Sequence, residues 1–114
     1  MNGQLTIFNL YECDEVFLKS KRMISRFLLD LCKCINMKPY KKPLVERFGK
    51  EKLEGYSALL WIETSSIVIH LDEHEKKAFI DIFSCKRFNA SKAKDFSKKY
   101  LKAKKVSFKT IMRK

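Results

Sequence analysis

Glycine and proline are scarce, with three and two residues in a chain of 114. That excludes a linker-rich, low-complexity or collagen-like protein. No apolar run approaches the roughly 20 residues that a membrane span needs. The first residues, Met1-Asn2-Gly3-Gln4, lack the charged start and apolar stretch of a secretory signal, so the expected location is the cytoplasm. Cysteine is limited to Cys13, Cys32, Cys34 and Cys85. Cys32 and Cys34 make one C-x-C pair with no second pair or nearby histidine, so no metal site is expected. In a reducing compartment these thiols stay unbridged. Acid is also in short supply. Against 25 Lys and Arg stand 13 Asp and Glu, for a net charge of +12. Residues 86–114 hold twelve of the cations and one acid, Asp95, so that segment carries +11 and the remainder is nearly neutral. Such a stretch is either a solvated basic face or a patch for an acidic partner. Lysine dominates it and few aromatics interleave, which favours the solvated face and argues against a nucleic-acid partner.

Apolar residues supply 46% of the chain and aromatics 12%, enough for one real core. The length fits a single domain spanning residues 1–114. A domain of this size is often completed by a partner subunit. Residues 5–11 read as a strand. Asp14 is a candidate N-cap, and Phe17, Ile24, Phe27, Leu28, Leu31 and Ile35 then recur at helical spacing over residues 15–36. Pro39 and Pro43 restrict residues 38–48 to an edge strand or an extended loop, and residues 49–55 are a polar turn. Residues 56–63 and 66–71 read as strands separated by Thr64 and Ser65. Residues 74–77 form a charged turn, and 78–85 another strand. A second helix covers residues 90–102, and a last strand alternates through Val106, Phe108 and Thr110. The order is β-α-β-β-β-β-α-β. That predicts an α+β two-layer sandwich, a mostly antiparallel sheet with helices on one face.

Three chemically capable residues lie in the central hairpins: Ser65 at a strand junction, His70 five residues on, and Cys85 fifteen beyond that. If the last two strands pair through the charged turn, His70 and Cys85 are expected at one end of the hairpin, close to Ser65. A hydroxyl, an imidazole and a thiol would then converge. By itself, a histidine on a strand and a cysteine closing a buried strand are more often structural than catalytic.

The intervals carry more. Gly55 and Ser57 precede the apolar Leu59-Leu60-Trp61-Ile62. Then come Ser65, Ile69-His70 and Asp81-Ile82-Phe83-Ser84-Cys85. This array resembles the small prokaryotic S-adenosylmethionine decarboxylases, whose pattern is roughly G-x-S-G, an apolar strand, E-S-H, I-H-x-W-P-E and D-V-F-T-C-G. The serine-to-histidine and histidine-to-cysteine intervals agree without a gap. Further out, Asn9-Leu10-Tyr11-Glu12-Cys13-Asp14 is similar to the family's E-L-Y-G-C-D, and Ala103-Lys104-Lys105-Val106-Ser107 to its A-K-R-V-S. The likeness covers nearly the whole chain, with residues 39–53 aligning poorly.

The resemblance implies a proenzyme that makes its own cofactor. The Ser65 hydroxyl would attack the Thr64 carbonyl. The resulting ester would then open by β-elimination between residues 64 and 65, leaving fragments 1–64 and 65–114, the second headed by a pyruvoyl group. That ketone forms a Schiff base with the substrate amine and serves as the electron sink for decarboxylation. By the same likeness His70 removes the serine α-proton. Ser57 assists the ester step, and Cys85 returns a proton to the decarboxylated carbon. The implied assembly is a homodimer whose sites draw on both subunits. The implied substrate is S-adenosylmethionine, for spermidine biosynthesis. Departures from the pattern keep two alternatives open: a basic amino acid such as arginine or ornithine as substrate, or an uncleaved, non-catalytic relative. Thr64 stands where the family has Glu, and Ser66 where it has His. His74 replaces the acid that holds the ribose hydroxyls, with Glu73 and Glu75 beside it. The position of the adenine-stacking aromatic falls at Glu51, and Phe48, three residues earlier, is the candidate to replace it.

Overall fold

Residues 2–114 are described by a computed structural model. Strand β1 spans Gly3–Tyr11, helix α1 Glu15–Leu18, helix α2 Lys21–Cys34 and strand β2 Leu44–Phe48. A turn of 3-10 helix at Glu51–Leu53 leads into β3, Gly55–Ile62. Then come β4, Ser65–Asp72, β5, Lys77–Ser84, helix α3, Ala90–Tyr100, and β6, Lys105–Arg113. All six strands join one sheet in the order β2-β3-β4-β5-β1-β6, and every pair is antiparallel. The structure contains the predicted α+β sandwich, with the strands in the expected order and one helix more than expected between β1 and β2.

Side chains alternate across a strand, and that alternation divides the sheet into two unlike faces. Phe8, Leu10, Leu60, Ile67, Ile69, Ile80 and Ile82 point to one side, where the helices bury them completely. Beneath the helices an aromatic knot closes the core. The Phe27 ring meets Phe17 edge-on at 5.6 Å, stacks on Phe96 at 6.2 Å and touches Tyr100 at 5.0 Å. Tyr100 donates its hydroxyl hydrogen bond to Asp30 at 3.0 Å, tying α3 to α2. The other face carries Leu59, Trp61, Val68, Phe79 and Phe83, with no helix over it. Trp61 is 47% exposed and Phe79 38%.

The single helix expected over residues 15–36 is two helices. The break falls at Lys19 and Ser20. Asp14 caps α1 by accepting from the Phe17 N–H at 3.2 Å, and Ser20 caps α2 by accepting from the Met23 N–H at 3.1 Å. A serine side chain that satisfies an orphan N–H competes with helix continuation, so the hydrophobic period runs through while the backbone restarts. Residues 38–48 form an edge strand only from Leu44, after an isolated bridge between Pro39 and Ile62. At the opposite end of β3, Gly55 packs against the Leu71 carbonyl, where a Cβ would collide with backbone. Among the described residues no helix is long and apolar enough to cross a membrane.

Phe27 is fully buried at the centre of the knot. Replacing it by alanine is expected to cost about 3 to 5 kcal/mol, read as a lower urea midpoint with an unchanged slope.

Candidate active site

The turn between β3 and β4 is two residues, Glu63 and Thr64, and Ser65 is the first residue of β4. Its register is fixed from both sides: Ser65 lies opposite Ile62 on β3 and Ser84 on β5. The Ser65 hydroxyl donates to the carbonyl oxygen of Thr64, the residue before it. The backbone N–H of Cys85 donates to that same oxygen at 3.2 Å, and the Cys85 sulfur stands 3.7 Å from the Ser65 Oγ. A nucleophile thus rests against a carbonyl that is already polarised by an amide donor. The Thr64 side chain is held as well. Ser84, fully buried, donates to the Thr64 Oγ1 at 2.8 Å and accepts from the Lys86 N–H at 2.9 Å, while the Thr64 hydroxyl donates to the Met37 sulfur at 3.2 Å. Neither Ser84 nor Met37 stood out in the sequence. The signal available for Ser84 was its phase in β5, which turns it inward between half-buried Phe83 and exposed Cys85.

Ser57 and His70 form a second constellation. They lie opposite one another on β3 and β4, and Ser57 Oγ is 2.8 Å from His70 Nδ1. Both sit on the face without helices. The expected convergence of Ser65, His70 and Cys85 does not occur within one chain. His70 pairs with Phe79, near the turn that joins β4 to β5, whereas Ser65 pairs with Ser84 at the far end. Antiparallel pairing sends residues close to the turn to one end of the hairpin and residues distant from it to the other. Ser65 and His70 are five residue steps apart along β4, about 17 Å at the usual rise.

Phe48 lies opposite Gly55 on the same open face, 57% exposed, one same-face step along β2 from Glu46, which is opposite Ser57. Glu73 is engaged elsewhere. Arg47 grips it through two bonds of 2.6 and 3.0 Å, reaches Glu54 as well, and lies over the Tyr56 ring at 4.9 Å. Paired carboxylates hold the Arg47 guanidinium above its ordinary range. His74 is exposed in the turn. At the Ser65 end a cavity of about 230 Å³ opens beside Cys85, its wall including the cations Arg87, Arg113 and Lys114. Among the described residues no group of His, Cys, Asp and Glu could hold a metal ion.

A family model described as S-adenosylmethionine decarboxylase matches residues 4–114. An S-adenosylmethionine decarboxylase proenzyme of Clostridium botulinum strain Langeland is 30% identical over 113 residues, covering 98% of this chain and 94% of the relative. The proenzyme of the same name from strain Hall matches with the same identity and coverage. Among solved structures, the adenosylmethionine decarboxylase of Aquifex aeolicus VF5 superposes with a TM-score of 0.80 at 20% identity, over 97% of this chain and 89% of that one. At that identity the likeness is one of fold.

The four thiols differ by burial. Desolvation pushes Cys13 up to about 12 and Cys32 to about 11, and raises Cys34 as well. Cys85 is the exposed one. Because the thiolate is the reactive form, N-ethylmaleimide at pH 8 is expected to modify Cys85 first and Cys13 and Cys32 only on unfolding, as read by peptide mapping. Early labelling of Cys13 would contradict the burial order.

Proposed function

We propose that this chain, which belongs to the S-adenosylmethionine decarboxylase family, cleaves itself between Thr64 and Ser65 and decarboxylates S-adenosylmethionine through a pyruvoyl group formed from Ser65. The observation that carries the reading is the contact at the β3–β4 turn: the Ser65 hydroxyl on the Thr64 carbonyl, with the Cys85 N–H on the same oxygen. Attack by Oγ on that carbon moves the acyl group from nitrogen to oxygen. The negative charge that develops on the carbonyl oxygen falls where the Cys85 amide already points. Removal of the Ser65 α-proton then expels the Thr64 carboxylate. The remaining dehydroalanine gains water and loses ammonia, leaving a ketone at residue 65. That ketone supplies an electron sink for a substrate amine whose carboxylate is lost. The Cys85 thiol, 3.7 Å from Ser65 Oγ, is placed to deliver a proton to the carbon left behind.

The base for the α-proton is His70, oriented by Ser57 at 2.8 Å. It stands about 17 Å from Ser65 of its own chain. A second copy completes the site. Two open faces packed together bring His70 and Ser57 of one protomer to the end of the other's sheet where Cys85 meets Ser65. The exposed Trp61, Phe79 and Leu44 give that face the apolar surface a stable homodimer buries. Phe48 is also the observation that favours a nucleoside over arginine or ornithine, since an exposed ring beside Ser57 and His70 suits a purine. The product would serve as an aminopropyl donor for spermidine.

Intact mass measurement is expected to show fragments 1–64 and 65–114, the second lacking the amine of an N-terminal serine. Ser65→Ala should stay whole, and cleavage of that variant at the same bond would reject the role of Ser65. The shared site has its own test. A His70→Ala chain expressed alone should not mature. Co-expressed with a Ser65→Ala chain, it should be cut, because the partner brings the histidine. If the His70→Ala chain remains whole in that pairing, the site is not shared in this way.

A further inference from the structure

We infer that Glu46 binds the positively charged sulfonium of the substrate. The inference takes the identity of the ligand from the reading above and adds the residue that recognises its charge. Glu46, Ser57, His70 and Phe79 form one row across β2, β3, β4 and β5, each opposite the next, so their side chains share the open face. Glu46 is exposed. Among the described residues it is in no ion pair, although the chain carries 25 cations for 13 acids. The neighbouring carboxylates are occupied: Glu73 and Glu54 by Arg47, and Asp72 by the Glu75 N–H at 3.0 Å. Asp81, the other exposed acid on this face, sits between Val68 and Ile7 in mid-sheet, two rows from Ser57.

S-adenosylmethionine is aromatic at its purine, cationic at its sulfur and anionic at its carboxylate. The two ends of the site match that order. Phe48 and Glu46 are one same-face step apart, about 7 Å at the usual rise, so a ring stacked on Phe48 leaves the sulfur within reach of the Glu46 carboxylate. An aromatic face and a carboxylate together are favourable partners for an organic cation. At the other half of the site, Arg87, Arg113 and Lys114 line the cavity beside Cys85 and suit the carboxylate end. A cationic ligand on a protein of net charge +12 needs a local acid, and Glu46 is the unoccupied one in this row.

The test uses two nucleosides that differ only in charge, 5′-methylthioadenosine and its S-methyl sulfonium, titrated calorimetrically into the purified protein. The wild type is expected to favour the sulfonium by about tenfold, the order of one charge-assisted contact. Glu46→Gln, exposed and so retaining the wild-type Tm, should lose that preference while binding the neutral thioether as before. In turnover it should raise KM about tenfold and change kcat little. Equal weakening of both nucleosides would mean that Glu46 reads hydroxyls, and an unchanged preference would mean that it reads nothing; either overturns the inference. A wild-type chain that stays uncleaved rejects the decarboxylase reading alone, since the nucleoside comparison does not depend on cleavage.

Discussion

The register of β4 governs everything else in this molecule. Ser65 touches the Thr64 carbonyl, the Cys85 amide reaches the same oxygen, and Ser57 meets His70, because β4 is locked between β3 and β5 with Ser65 opposite Ser84 and His70 opposite Ser57. Side chains alternate with a period of two, so a slip of one residue would bury His70 and expose Ile69 and Ile67. The core residues on the helix side thereby fix where Ser57, Ser65 and His70 stand. Ile67, Ile69, Ile80 and Ile82 are fully buried, and any shift that moved the reactive groups would bring those four into water. The site's geometry is held by apolar burial, with few polar contacts of its own beyond the Thr64–Ser84–Met37 clamp.

That same lock keeps Ser57 and His70 apart from Ser65 and Cys85 within one chain. A rigid sheet holds its two constellations at fixed separation, about 17 Å along β4, and no side-chain movement closes such a gap. In the proposed dimer, complementarity between two copies would close it. If two open faces meet about a two-fold axis, the Ser65 end of one sheet and the His70 end of the other come together twice, so two sites arise from one interface. Stability and function would then draw on the same surface: Trp61, Phe79 and Leu44 are poorly covered in the isolated chain, and covering them in the proposed dimer would bring the two constellations together.

Much of the fold could be read from period and punctuation. The strand runs are rich in β-branched and aromatic residues, burial alternates through Ile67–Leu71 and Ala78–Ile82, and the turn at residues 73–76 is charged. What escaped was the break between α1 and α2, because the apolar period continues across Lys19 and Ser20 while a serine cap interrupts the backbone. For the site, the intervals between Ser65, His70 and Cys85 were legible, and the separation of His70 from the other two was not. Spacing along a strand fixes the face on which a residue lies, but the end of the hairpin follows only from counting outward from the turn. Glu46 escaped for a related reason. Its neighbours on the open face come from β3 and β4, and no pattern within the short, proline-preceded segment that contains it reveals that pairing.

Charge placement adds a last constraint. The basic surplus is concentrated beyond residue 85, on α3, on the outer strand β6 and on the loop that leaves Cys85. Lysines along β6 also blunt an exposed sheet edge that would otherwise invite further strands. The two edges of the sheet therefore differ in kind. At the β6 edge and the adjoining cavity, cations predominate. At the β2 edge, Glu46, Phe48 and the Arg47–Glu73–Glu54 network place carboxylates beside an aromatic ring. In the proposed dimer, a ligand bridging the two halves would meet opposite charges at its ends, and the field would orient it before any covalent bond forms. For a substrate whose carboxylate must leave, cations that attract that group also stabilise its starting state. The gain from orientation must then exceed the ground-state binding it brings. Exposure of Arg87, Arg113 and Lys114 to water at the cavity mouth keeps that attraction weak, which is the arrangement a decarboxylase needs.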